Sequence, residues 1–221
     1  MRVLTAPCVL STVALQDFGI HNHAIETDKR LTFMLSLTVG ALLFMVPHLL
    51  SSALPAMRDR LKARFGERAF KSVYALISGV GIIVIGVSYW WTRGNGDMLY
   101  APSGSMRHAT MGLATLGMIL LAAGQGKSHI RLWSQNPFSI GIALWSVGHL
   151  LSVGKTAVVV FYAALLVVAL ADIISSTARG KRPDYQPVWR SDIIAIIAGL
   201  VVTALLVTLF HPYVLGVNLM G

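Results

Sequence analysis

The sequence predicts an all-α protein, a polytopic transmembrane helix bundle with about six spans. Of its 221 residues, 55% are hydrophobic and only 12% are charged, whereas soluble domains average about 25% charged residues. The apolar residues are gathered into six runs, each close to the roughly 20 residues that a helix needs to cross a bilayer. The lipid bilayer is therefore the expected surrounding of this chain.

The six apolar runs follow one another with short polar breaks. In chain order they cover residues 35–54, 73–91, 108–123, 138–153, 156–174 and 193–210. The third and fourth runs are short for membrane spans. Gly154 and Lys155 form the only break between the fourth and fifth runs, so these two spans are expected to form a tight helical hairpin.

The positions of the basic residues predict the orientation of the spans. Twelve of the 18 lysines and arginines lie in the first, third and fifth connections between spans: Arg58, Arg60, Lys62, Arg64, Arg68, Lys71, Lys127, Arg131, Arg179, Lys181, Arg182 and Arg190. The positive-inside rule places these connections in the cytoplasm and both termini in the periplasm of a cell inner-membrane protein. The net charge of +9 is thus explained by membrane loops, and no nucleic-acid partner is expected.

Residues 1–33 differ from the rest of the chain, since they carry several charges and no periodic apolar pattern. Met34 is followed at once by the first apolar run. We therefore expect Met34 to be the true start, with residues 1–33 a doubtful N-terminal extension and residues 34–221 the transmembrane domain. A genuine extension is the alternative.

The first connection between spans has the pattern of an amphipathic helix. Leu61, Phe65 and Ala69 are spaced four residues apart, which places them on one helical face, and basic residues fill the other positions. Such a segment is expected to lie at the headgroups of the membrane. The simpler alternative, which we favour, is that the charges only set the topology.

Two histidines lie inside apolar runs, His48 in the first span and His149 in the fourth. A titratable ring in hydrocarbon is costly and marks a functional site by default, and imidazole is a common ligand of metals and haem iron. At 1.5 Å per residue, His48 and His149 lie roughly 9 and 16 Å from the cytoplasmic edge. The pair is therefore predicted to reach one metal centre. In the alternative, His48 bonds to a hydroxyl or carbonyl of a neighbouring helix.

Two neighbours of these histidines bear on the same site. Pro47 cannot donate a backbone hydrogen bond and is expected to kink the first span beside His48. Trp145 lies one helical turn before His149, where it can stack on a flat macrocycle or simply pack. The single cysteine, Cys8, excludes a disulfide framework and a c-type haem attachment motif.

The remaining histidines and acids are given ordinary roles. His108 and His211 stand at span ends and are predicted to be solvated, and His129 is predicted to be exposed in a loop. Asp172 and Asp192 are expected to pair with nearby arginines such as Arg179 and Arg190. A proton relay would need further intramembrane acids, which argues against an ion-coupled transporter.

Three sequence blocks carry a family resemblance: Phe44 to Tyr74, Asn136 to Leu151, and Trp189 to Ala195 followed by His211 and Leu215-Gly216-Val217. On these blocks the chain resembles the NnrU family of membrane proteins over about residues 34–221. The resemblance implies a multi-pass protein associated with denitrification and nitric oxide metabolism.

The NnrU family in turn resembles 15-cis-zeta-carotene isomerase, a membrane enzyme that binds haem b through histidines. The resemblance implies haem b in this chain, with His48 and His149 as ligands of the iron and Trp145 beside them. Two alternatives remain, and no catalytic residue is assigned. One is a carotenoid cis-trans isomerase acting on an apolar polyene, and the other is a cofactor-free assembly or regulatory protein whose partners are nitrogen-oxide respiratory proteins.

Overall fold

The structure, a computed structural model, describes the backbone of residues 9–92 and 97–219 and the side chains of residues 26–92 and 97–219. Within these ranges the chain forms eight α-helices and one π-helix. They are α1 (Val9–Ala53), α2 (Pro55–Phe65), α3 (Glu67–Thr92), α4 (Met106–Ala123), α5 (His129–Ser134), α6 (Pro137–Ser152), α7 (Thr156–Ala178) and α8 (Trp189–Leu205), with the π-helix Leu206–Leu215 continuing α8.

The predicted transmembrane bundle is confirmed. Five helical stretches of the described chain are long and apolar enough to cross a membrane, namely Glu26–Ala53 of α1, α3, α4, α7 and Trp189–Leu215. The fourth predicted span is α6, a shorter apolar helix of 16 residues. Only residues 153–155 separate α6 from α7, so the predicted tight hairpin is also present.

The order in which the helices pack decides which side chains can meet. Helix α4 packs on both α6 and α8, α6 packs on α7, α7 packs on α1, and α1 packs on α3. In the described part of the chain, the backbones of α1 and α6 do not pack directly on each other. Helix α7 therefore lies between them, and its Tyr162 and Leu165 form a buried cluster with Phe44 of α1.

Two glycine contacts bring spans close together. A Cβ atom at Gly81 of α3 would lie 2.7 Å from the carbonyl oxygen of Gly40 in α1, and one at Gly117 of α4 would lie 2.7 Å from that of Gly141 in α6. Small residues allow such backbone approach between membrane helices. The α1–α3 and α4–α6 pairs therefore depend on the absence of a side chain at these positions.

Helix α1 begins before the first predicted span. Residues 26–33 continue the same helix, and Arg30 forms ion pairs with Glu26 at 3.8 Å and with Asp97 at 3.4 Å. Phe33 packs against the buried Leu37. Residues 1–8 and the side chains of residues 9–25 lie outside the described chain, and the start at Met34 stays a prediction.

The predicted exposure of His129 and the predicted pairing of Asp192 with an arginine are wrong. The carboxylate of Asp192 accepts hydrogen bonds from the backbone N–H groups of His129 (3.1 Å) and Ile130 (3.0 Å) and pairs with the His129 ring at 2.7 Å. The His129 ring also stacks on Trp189 at 4.1 Å. Helix α8 thus brings its acid to the free amides at the start of α5, where negative charge is favourable.

The predicted pairing of Asp172 with Arg179 is also wrong. The Asp172 carboxylate accepts hydrogen bonds from the Asn136 side-chain amide (2.8 Å) and the Ser139 hydroxyl (2.6 Å), which joins α7 to the start of α6. Arg179 instead donates to the carbonyl oxygen of Ser52 in α1, at 2.8 Å.

We expect Asp172→Ala to destabilise the bundle, because Asn136 and Ser139 would lose their acceptor. An unsatisfied buried polar group costs about 1–3 kcal/mol, and a chain of this size loses roughly 2–4 °C per kcal/mol. Thermal unfolding of the detergent-purified protein measures the loss. Asp59→Ala, which removes an exposed acid paired with Arg58, is the control and should leave the midpoint unchanged; equal midpoints for both variants would contradict the assignment.

Candidate functional site

A cavity of about 250 Å³ opens among α4, α6 and the π-helix. It lies at the end of the bundle opposite the basic connections, beside residues 102–104 of the loop that precedes α4. Its walls are mostly apolar. The side chains that matter for its chemistry are Arg107, Met111, Met118, Trp145, His149 and His211.

His149 is held in one orientation by its neighbours. Its Nδ1 atom lies 2.9 Å from the carbonyl oxygen of Trp145, one turn earlier on α6. Since a carbonyl oxygen only accepts, Nδ1 carries a proton, and in the neutral ring Nε2 then keeps its lone pair. The ring stacks on Tyr162 at 4.2 Å, with 13° between the planes. The result is an oriented imidazole whose Nε2 lone pair is free to bind a metal.

Trp145 forms part of the same aromatic group. Its ring meets His149 edge-on at 5.4 Å and Tyr162 edge-on at 5.2 Å. The predicted neighbourhood of Trp145 and His149 is therefore present, with Trp145 also lining the cavity. In this arrangement Trp145 fixes the position of the other two rings.

The end of α6 that carries His149 is tied to its surroundings by backbone carbonyl groups. The Thr110 hydroxyl donates to the carbonyl oxygen of Gly148 at 2.7 Å. The Tyr100 hydroxyl lies against the carbonyl oxygens of Leu150 and Val153, and its one proton is shared between these two acceptors. These bonds fix the position of His149 along the axis of the bundle.

His211, which is partly exposed, lies beside His149. The two rings are 6.4 Å apart between centroids, with 21° between their planes. The His211 Nδ1 lies 2.7 Å from the carbonyl oxygen of Leu206, five residues earlier, so its Nε2 is also free. The next residue, Pro212, has no N–H for a regular α-helical bond, and a π-helix of this kind is frequent at functional sites.

His48 lies elsewhere. Its Nδ1 donates to the carbonyl oxygen of Phe44 at 2.8 Å, with the Ser78 hydroxyl at 3.5 Å, and its ring contacts Phe44 and Tyr74 at 4.4 and 4.9 Å. No ring contact or hydrogen bond joins His48 to His149 within the described residues, because α7 lies between their helices. A haem shared by these two histidines stays a prediction.

Sequence reasoning missed the pairing of His149 with His211. The signal available was the His211-Pro212 step directly after the sixth apolar run, since a proline there disturbs the regular helix. His108 is exposed, as predicted. Within residues 26–92 and 97–219, no group of three or more His, Cys, Asp or Glu side chains forms a metal site.

Comparison with known proteins gives one match. No curated protein matches the chain, and no solved structure matches it. The family model described as NnrU protein matches residues 36–219, most of the chain, including every element from the middle of α1 to the π-helix. The chain therefore belongs to the NnrU family.

Proposed function

We propose that this membrane protein binds haem b, with His149 and His211 as the two ligands of the iron, and acts in electron transfer linked to nitrogen-oxide metabolism. The observation that carries the proposal is the pair of oriented imidazoles in one cavity, each with a free Nε2. The nitrogen-oxide link rests on the resemblance to the family.

The distance between the rings suits a shared metal. Metal–nitrogen bonds to imidazole are about 2.0–2.1 Å long, so a metal in line between two Nε2 atoms that face each other would set the ring centroids roughly 6–6.5 Å apart. The centroids of His149 and His211 are 6.4 Å apart. The donation of both Nδ1 protons to backbone carbonyls is the arrangement that orients histidine ligands of metals.

The side chains that line the cavity, rather than its volume, suit a macrocycle with carboxylate groups. Two protein donors are too few for a bare structural ion, which takes four ligands, but suffice for iron held by a porphyrin. Met111, Met118 and Val207 supply apolar walls, and Arg107 lies at the rim, where a guanidinium can pair with a propionate.

The chain's own residues would set the properties of the group. Haem iron supplies one-electron redox chemistry, and two imidazole ligands leave no open coordination position. Tyr162 and Trp145 hold the His149 ring in place, and the walls around the site are mostly apolar. This arrangement favours electron transfer over isomerisation of a polyene, which would require one ligand to leave.

Absorption spectra of the detergent-purified protein, expressed with ample haem and recorded oxidised and dithionite-reduced, test the proposal. We expect sharp reduced bands in the wild type and in His48→Ala, and altered or lost bands in His149→Ala and His211→Ala. His108→Ala, at an exposed position on α4, is the matched control. A featureless spectrum in every protein would overturn the proposal in favour of a cofactor-free role. Loss in His48→Ala but not in His211→Ala would restore His48 as the ligand.

A further inference from the structure

A second cavity, of about 570 Å³, lies at the basic end of the bundle among α1, α2 and α3. Its walls are almost entirely apolar. They include Pro47 and Leu50 from α1, Leu61 and Phe65 from α2, and Phe70 and Tyr74 from α3. It is separate from the cavity that contains His149 and His211, which shares no lining residue with it.

The amphipathic face predicted from the sequence forms one wall of this cavity. Leu61, Phe65 and Ala69 all line it, although the chain is not one continuous helix there. Helix α2 ends at Phe65, and Gly66, at φ 85°, turns the chain into α3. The turn places α2 beside the spans that it connects, with its apolar side toward the cavity.

Two cations lie directly over the aromatic walls. The Lys62 ammonium is 5.7 Å from the centre of the Phe70 ring, and the Arg64 guanidinium is 5.3 Å from that of Phe65. Both distances fall within the range of cation–π attraction. Positive charge is therefore fixed at the boundary of an apolar cavity, which is the arrangement that an amphiphile with an anionic head requires.

The nearby acids form their close ion pairs with other cations. Asp59 forms its ion pair with Arg58 at 2.8 Å, and Glu67 forms its own with Lys71 at 2.7 Å. Within the described residues, neither Lys62 nor Arg64 has an ion pair with a carboxylate. Both cations can therefore still contact an anionic ligand, with Lys62 also attracted by Asp59 and Glu67 without a close ion pair.

We infer that this cavity binds one anionic phospholipid, with an acyl chain among the apolar walls and the phosphate against Lys62 and Arg64. Basic clusters next to a membrane span attract anionic lipid, and burying an acyl chain among apolar side chains is favourable. An acyl chain is needed to fill the apolar cavity, and free phosphate has no acyl chain. The site is independent of the haem proposal.

Native mass spectrometry of the detergent-purified full chain tests the inference. The protein is incubated with phosphatidylglycerol or phosphatidylcholine of identical acyl chains, and retained lipid is counted. We expect one phosphatidylglycerol per chain and little phosphatidylcholine. The K62Q/R64Q double variant should retain about tenfold less phosphatidylglycerol. The matched control, K181Q/R182Q, removes two exposed cations from the loop after α7 and should retain it fully.

A second variant tests the apolar half of the site. Ala69→Leu fills part of the cavity from an exposed position at the start of α3, so the fold should tolerate it, and phosphatidylglycerol retention should fall. Equal retention of both lipids, full retention by K62Q/R64Q, or unchanged retention by Ala69→Leu would each overturn the inference. Displacement of the lipid by millimolar inorganic phosphate would also overturn it, since it would indicate a site for phosphate alone.

Discussion

The His149→Ala variant is expected to purify with less than about one tenth of the wild-type haem. Mutating a residue that only hydrogen-bonds to a metal ligand already lowers metal affinity about 10–100-fold, so removing the ligand itself should lower it at least as much. Removing the ring takes away one of the two nitrogen ligands proposed for the iron. It also leaves a gap beside Tyr162 and Trp145, which pack on it.

Haem per protein, measured after extraction, gives the result directly. Adding free imidazole to the His149→Ala protein should restore haem binding, because the ring that was removed can be replaced in the gap. His108→Ala is the matched control, since that histidine is exposed on α4. Wild-type haem content in His149→Ala would refute the assignment of this ligand.

The second large effect is expected from Gly141→Leu in α6. A Cβ at this position would lie 2.6 Å from the carbonyl oxygen of Gly117 and 3.0 Å from the backbone nitrogen of Leu121, both in α4. Overpacking a core usually costs about 1–3 kcal/mol. We expect Gly141→Leu to lose about 3 kcal/mol of stability or more, because the new side chain would clash with backbone atoms, and no side-chain rotation relieves that clash.

Size-exclusion profiles and thermal midpoints of the purified protein measure this effect. Gly141→Leu should aggregate or lose most of its stability, and any folded fraction should bind less haem, because α4 and α6 both line the cavity. Gly112→Leu is the matched control, since a Cβ at Gly112 of α4 would meet nothing within 4 Å. Equal stability of the two variants would contradict the α4–α6 packing.

The spans were predictable because hydropathy averages over about 20 residues and depends on no partner. All six predicted segments form helices, five of them long enough to cross a membrane. The break at Gly154 and Lys155 was sufficient to predict the α6–α7 hairpin. The first helix was predicted too short, since the segment before Met34 is polar but continues the helix of the span that follows.

The proximity of His149 and His211 could not be predicted from their positions along the spans. The sequence gives only the depth of a residue in the membrane, whereas contact between two residues also depends on which helices are neighbours. Helix α7 separates α1 from α6. His211 was assigned to solvent because it ends a span, although the π-helix around Pro212 turns it toward His149. His129 and Asp172 were misjudged for the same reason, because their partners come from distant parts of the chain.

The most direct test of the central claim is the electron paramagnetic resonance spectrum of the oxidised protein. Two imidazole ligands predict a low-spin ferric signal in the wild type and in His48→Ala. The same signal should be replaced by a high-spin signal or lost in both His149→Ala and His211→Ala. A high-spin signal in the wild type, or a low-spin signal that survives His211→Ala, would contradict the pairing of His149 with His211.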